Sequence, residues 1–416
     1  ISNTISTQSE PVQFVSPSPS ISNTISTQSE PVQFVSPSPS ISNTISTQSE
    51  PVQFVSPSPS ISNTISTQSE PVQFVSPSPS ISNTISTQSE PVQFVSPSPS
   101  ISKKTEVTAD VFAGYDTSPA HVDKISPSNM SLVKTYTPPS KHKYIQSLTS
   151  LSGYVFAGYW TSPGYVDKIS PSNMSLVKTF TAPSGHRYVQ ALTSLSGYVF
   201  VGYYGTPGYV DKISPSNMSL VKTFTAPKGH DDVKALTSLS GYVFAGYWTS
   251  PGDVDKIDAS TMSYEATFTA PSGHKYVEAL TSLSGYIFVA YHPSPGYVDK
   301  VDVSTMSLVK TFTAPSGHVY VKALTSLSGY VFAGYRTSPG YVDKISSSTM
   351  TLVKTFEAPS GHDIVRSLTS LSGYVFAGYN VSPAYVDKIS PSNMSLVKTF
   401  EAPSGHGYVR GLTAIG

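Results

Sequence analysis

From residue 109 onward the chain repeats itself every 44 residues, and that period limits the fold more than any other feature. The pentapeptide Val-Phe-Ala-Gly-Tyr begins at Val111, Val155, Val331 and Val375, with variants at Val199, Val243 and Ile287 on the same spacing. Seven such units fill 109–416. Each contains four short β-rich runs, such as YVQALTSL, YVFAGYW, YVDKIS and SLVKTFTAP, separated by Gly, Pro, Ser and Asn, which favour tight turns. Four strands per unit and seven units predict an all-β chain folded as a seven-bladed β-propeller, one blade per unit. An open solenoid of the same units would need dissimilar caps, which a closed ring does not.

The ends of this region fit a ring. Residues 407–416 reproduce the first strand of a unit with no second strand after them. Val111 opens a second strand preceded only by the divergent ISKKTEVTAD. The C-terminal strand is therefore expected to complete the blade that begins at Val111.

Residues 1–100 obey a different period. They are five identical copies of ISNTISTQSEPVQFVSPSPS, each with eight Ser or Thr, three Pro and one Glu. The apolar residues of the first copy, Ile1, Ile5, Val12, Phe14 and Val15, are too few to offset chain entropy in an isolated globule. Composition thus favours an extended, mucin-like stalk with O-glycosylation at residues such as Ser2, Thr4, Ser6, Thr7, Ser16 and Ser18. Three other states compete. A 20-residue period also suits one coil of a β-solenoid, identical segments can pair between chains into a fibre, and the tract can stay disordered. Self-association through residues 1–100 belongs to the fibre reading. Residues 101–108 are expected to link the two regions.

Bulk properties remove several function classes. The chain has 25 basic and 25 acidic side chains, so no excess charge favours nucleic acid or an anionic membrane. It contains no cysteine, hence no disulfide, thiol nucleophile or Cys-ligated zinc. No apolar run approaches the roughly 18 residues of a transmembrane segment. Because the sequence opens at Ile1, in phase with a repeat and without Met, a processed or partial chain is expected.

Units such as GYVFAGYWTSPGYVDKISPSNMSLVKTFTAP resemble the YVTN-type repeats of seven-bladed surface-protein propellers. The match is closest at Lys256-Ile257-Asp258-Ala259-Ser260-Thr261 and Lys300-Val301-Asp302-Val303-Ser304-Thr305, while other units carry Ile169-Ser170-Pro171-Ser172-Asn173 instead. The resemblance implies extracellular binding or scaffolding more often than catalysis, although some seven-bladed relatives are lyases or lactonases.

A Gly-His or Lys-His pair closes every unit, placing His142, His186, His230, His274, His318, His362 and His406 at intervals of 44. This pair resembles the Gly-His of WD-repeat propellers, where the histidine joins a hydrogen-bonded group with an Asp and a Ser or Thr. The equivalent acids here are Asp123, Asp167, Asp211, Asp255, Asp299, Asp343 and Asp387. A residue present in every blade is what the blade needs to fold. These histidines are read as structural fastenings and not as metal ligands, since zinc wants three or four ligands about 2 Å from one point.

Function is sought where the units differ. The position after each Ala-Gly-Tyr reads Asp116, Trp160, Tyr204, Trp248, His292, Arg336 and Asn380, and the position after Gly-His includes Arg187 and Lys275. Both positions fall on loops of one face, where aromatic platforms beside charges suit a carbohydrate or peptide. The opposite face carries the Asn-x-Ser acceptors Asn129, Asn173, Asn217 and Asn393 on predicted turns. No catalytic motif, metal site or cofactor box emerges. The expected function is that of a secreted or cell-surface structural protein, a glycosylated fibre or stalk carrying a propeller that binds a glycan or protein. The alternative is a propeller enzyme, a lyase or hydrolase on polysaccharide or lactone, with Asp231-Asp232 beside Trp248 and Asp253 as its most asymmetric cluster.

Overall fold

The computed structural model describes the backbone of short strand segments between Ser2 and Lys103, and all of 109–416. Two compact units result, Ile1–Ala109 and Asp110–Ile415.

In the first unit each 20-residue copy contributes one strand to each of two parallel sheets. Identical residues stand opposite one another, as in Ser2↔Ser22 and Asn3↔Asn23 of one sheet and Val12↔Val32 and Phe14↔Phe34 of the other. Ile101–Lys103 continues the first sheet by pairing with Ile81, Ser82 and Asn83. In-register parallel pairing of this kind belongs to the solenoid and fibre readings of the tract. Apolar content per copy measures what one coil can bury alone, whereas stacked copies also satisfy each other's backbone groups at strand spacing. Ser2 and Thr4 lie in the first of these strands. Ser6, Thr7, Ser16 and Ser18 lie outside the described residues.

The second unit is a seven-bladed propeller, each blade an antiparallel four-stranded sheet. One blade runs Ile145–Leu151, Tyr154–Tyr159, Tyr165–Ser170 and Ser175–Thr181, each strand hydrogen-bonded to the next. The first strands of successive blades line the centre, and Ile145–Leu151 lies between Arg187–Leu195 and Val409–Ile415. Closure is by the C-terminus: Val409–Ile415 pairs with Asp110–Tyr115, setting Val111 opposite Ala414 and Ala113 opposite Leu412.

The hairpin joining the first two strands explains its Ser-Gly pair. Ser152 and Gly153 both have positive φ, 50° and 74°, between the cross-strand pair Leu151 and Tyr154. A two-residue loop with both centres left-handed matches the right-handed twist of the strands it joins.

Both faces of each blade are covered by neighbouring blades, so the second strand, Tyr-Val-Phe-Ala-Gly-Tyr, is buried almost throughout instead of alternating. Phe156, Val166 and Phe180 of one blade pack with Val189, Leu192, Val201 and Ile213 of the next. Burial of each such side chain contributes about 1.5–3 kcal/mol. Gly158 marks where these sheets approach most closely, since a Cβ there would lie 2.4 Å from Cγ1 of Val189. The outermost strand has one covered face at most, and Leu176 and Val177 remain exposed.

Candidate ligand-binding face

The residues that recur in every blade engage one another. Nδ1 of His186 donates to Oδ2 of Asp211 in the following blade at 2.8 Å. The same carboxylate accepts from Tyr203 Oη at 3.0 Å and from Thr223 Oγ1 at 2.6 Å. The His–Asp bond repeats around the ring, with distances of 2.9 Å for His142–Asp167, His230–Asp255, His318–Asp343 and His362–Asp387, and 2.8 Å for His274–Asp299. His406 to Asp123, also 2.9 Å, crosses the seam between the ends of the propeller. All seven aspartates are fully buried, and burial beside them drives the tyrosine hydroxyls of this group, Tyr203 among them, well above their ordinary pKa. Among the described residues, no three or more His, Asp or Glu side chains are grouped so as to hold a metal ion.

A second fastening lies on the other side of the blade. Lys168 stretches over the Tyr154 ring at 3.8 Å and donates to the carbonyl of Pro215 in the next blade at 2.9 Å. Lys388 makes the corresponding bond across the seam, to Pro127, at 2.9 Å. In the first blade Asp110 stands where the others have tyrosine, and it pairs with Lys124 at 2.9 Å. Asn129, Asn173, Asn217 and Asn393 sit on exposed turns, and each amide oxygen accepts from the serine two residues on at 2.8 Å. The methionines of these turns, such as Met174, are buried beneath them with φ near +50°.

The face that carries the histidine loops holds a cavity of about 490 Å³. Four residues of the variable position after Ala-Gly-Tyr line it: Asp116, Trp160, Tyr204 and Trp248. Trp160 stacks on Tyr188 with centroids 4.8 Å apart and meets Tyr204 at 5.3 Å. Trp248 stacks on Tyr276 at 4.9 Å and meets His292 edge-on at 5.0 Å. Arg187, Lys275 and Arg336 are exposed and do not line the cavity, with Arg187 and Arg336 lying over Tyr188 and Tyr320. Of the acidic cluster, Asp232 lines the cavity and accepts from the Gly205 amide at 2.8 Å. Burial, with Asp231 beside it, raises its carboxyl above the usual carboxylate range. Asp253 instead bonds Thr249 and faces His230.

The floor of the cavity comes from residues that the sequence reading passed over. The third residue of the run Tyr-Val-x-Ala-Leu, on the innermost strand, is Gln146, Gln190, Lys234, Glu278, Lys322, Arg366 and Arg410 in turn. Its flanking positions stay nearly constant while it changes from polar to acidic to basic, a signal present in the sequence at the same 44-residue spacing. Gln146, Gln190, Lys234, Arg366 and Arg410 line the cavity directly. Glu278 and Lys322 are buried beside it as an ion pair, and His292 Nδ1 lies 2.9 Å from the Glu278 carboxylate and 2.8 Å from the Lys322 ammonium.

Charge at this centre is unbalanced. Burial lowers Lys234 to about 8 against the attraction of Glu278, and the nearby Arg366, Lys322 and Arg410 lower it further. Burial likewise brings Lys322 to about 8 and Arg366, with Arg410 near it, to about 10. Burial pushes Glu278 up, but the His292 bond and the surrounding cations overcome that and hold it at about 2. Arg410 is engaged by Asp116, through Nε at 2.8 Å and Nη2 at 2.7 Å, and Gln146 bonds the other oxygen of that carboxylate at 3.2 Å. Arg366 has no hydrogen bond or ion pair of its own among the described residues.

No family model and no curated protein matches the chain. Among solved structures, a computationally designed protein, Ika8, is similar in fold with a TM-score of 0.53 at 12% identity, over 72% of this chain and 86% of that one. The WD40 β-propeller domain of Doa1 is similar with a TM-score of 0.53 at 13% identity, over 65% of this chain and 86% of its own. The likeness to the Doa1 domain supports the propeller fold and says nothing further about activity.

Proposed function

We propose that this is an interaction protein whose propeller binds a ligand on the face that carries the histidine loops. One observation carries the reading: the residues common to all blades are used up in holding the ring together, and residues that differ between blades converge on one cavity. Glycan-array and pull-down binding with the full chain tests it. Binding that disappears in Trp248→Ala while the fold is retained is the expected result, and unchanged binding in that variant sinks the assignment of the face.

The wider setting is an extracellular or cell-surface fibre or stalk bearing this propeller. The Ser/Thr/Pro-rich repeats and the four exposed Asn-x-Ser turns support that setting, as does the YVTN-type resemblance. Mass spectrometry of native material that found the Ser, Thr and Asn positions bare would remove the glycosylated version. Identical strands pair in register among the described residues, and the same pairing between copies supports self-association through residues 1–100. Concentration-dependent sedimentation measures it. The enzymatic alternative rests on Asp232, a carboxyl of raised pKa in the cavity beside Lys234. Turnover of a polysaccharide or lactone lost in Asp232→Asn would replace the binding reading.

A further inference from the structure

We infer that the cavity takes an acidic saccharide, its carboxylate or sulfate held by Arg366 and Lys234 and its ring laid against the indole of Trp248. This rests on the reading of that face as a ligand-binding face and adds the chemical class of the ligand. The argument begins with charge. The ring of innermost-strand positions holds four cations, Lys234, Lys322, Arg366 and Arg410, against one carboxylate, Glu278. Asp116 is committed to Arg410, Glu278 to Lys322 and His292, and the third carboxylate of the cavity, Asp232, accepts from the Gly205 amide, so the site keeps one cation more than its carboxylates. Lys234 reaches only the neutral Gln190 side chain, at 3.0 Å, and Arg366 reaches nothing. Like charges brought together in a partly desolvated pocket are unfavourable unless an anion completes the set. The guanidinium of Arg366 presents the planar fork that a carboxylate or sulfate fits.

Shape and aromatic content select a sugar over a small inorganic anion. A volume of about 490 Å³ falls in the range of small-molecule sites. Trp160, Tyr204 and Trp248 give the walls flat apolar faces, and Lys234 lies 5.7 Å from the Trp248 ring. A cation placed next to an aromatic face is the pairing needed for a ligand that is charged at one end and carries C–H groups on the other.

Titration calorimetry on the full chain tests this with a uronic-acid oligosaccharide, a sulfated oligosaccharide and a neutral oligosaccharide of matched length, and with sodium sulfate alone. The expected result is binding of at least one acidic sugar, absent for the neutral one and weakened by salt. The uronate and sulfate arms distinguish the two anion sources. Arg366→Gln and Lys234→Gln should each weaken binding by about 10- to 100-fold, the worth of one charge-assisted hydrogen bond. Lys275→Gln, outside the cavity, should not change it. Both cavity variants remove repulsion, so they should fold at least as stably as the parent, and circular dichroism verifies that. Equal binding of neutral and acidic sugars overturns the inference and leaves the ligand face standing. Binding of sodium sulfate as tight as the acidic sugar overturns the saccharide assignment. Absence of binding to every sugar overturns the inference, and the wider reading then stands or falls on the Trp248→Ala pull-down.

Discussion

At the scale of single residues, repetition and variation have opposite meanings. Asp211 shows the first. It is fully buried and accepts from His186, Tyr203 and Thr223, so Asp211→Ala would leave three donors without an acceptor. The expected loss is about 3–5 kcal/mol, read as a lower midpoint in denaturant unfolding. Lys234 and Lys322 show the second. Their pKa values of about 8 lie below the ordinary 10.5, so each of these lysines binds fewer protons in the native state than in the unfolded chain between those limits. These two lysines should therefore add stability as pH rises from about 8, an anion in the cavity should flatten that gain, and the buried tyrosines, held protonated above their ordinary 10, should reverse it as pH nears 10. The groups facing these lysines are Glu278, His292, Arg366 and Arg410, with Asp232 across the cavity, and of these Glu278, near 2, is already ionised throughout that range. Thermal melts at several pH values, with and without the acidic sugar, measure both effects.

At the scale of elements, each strand records its place in the blade. The second strand is continuously apolar because sheets cover both its faces, and Gly158 is the point of closest approach. Gly158→Ala should destabilise by about 1–3 kcal/mol through overpacking against Val189, measured as a shift in melting temperature. The outermost strand exposes Leu176 and Val177 but sets Lys178 beside them, a charge that blunts an edge able to pair with another chain. Lys178→Val is expected to raise aggregation on heating, followed by light scattering, with little change in the fold. Strand order, hairpin turns and the fastening histidines were all legible in the sequence, since turn chemistry and apolar runs are local and the spacing repeats.

For the whole molecule, closure is the decisive event. Val409–Ile415 supplies the innermost strand of the blade begun by Asp110–Tyr115, and His406–Asp123 and Lys388–Pro127 bridge the same seam. A chain ending at residue 403 lacks that strand and one His–Asp bond. It should lose cooperative unfolding, seen as a broad transition by circular dichroism. Period and turn residues by themselves determined the number of blades, the closure and the structural use of the histidines, because those depend on contacts repeated at a fixed interval. The sequence also isolated Trp160, Tyr204 and Trp248, but it favoured Arg187 and Lys275 as their charged neighbours. Tertiary structure decided otherwise. Winding the seven innermost strands around one centre brings Lys234, Arg366 and Arg410 together from positions 44 to 176 residues apart, and leaves Arg187 and Lys275 outside the cavity lining. Charges that are neutral in the total count become a local excess only when a ring gathers them, which no linear reading of net charge reveals.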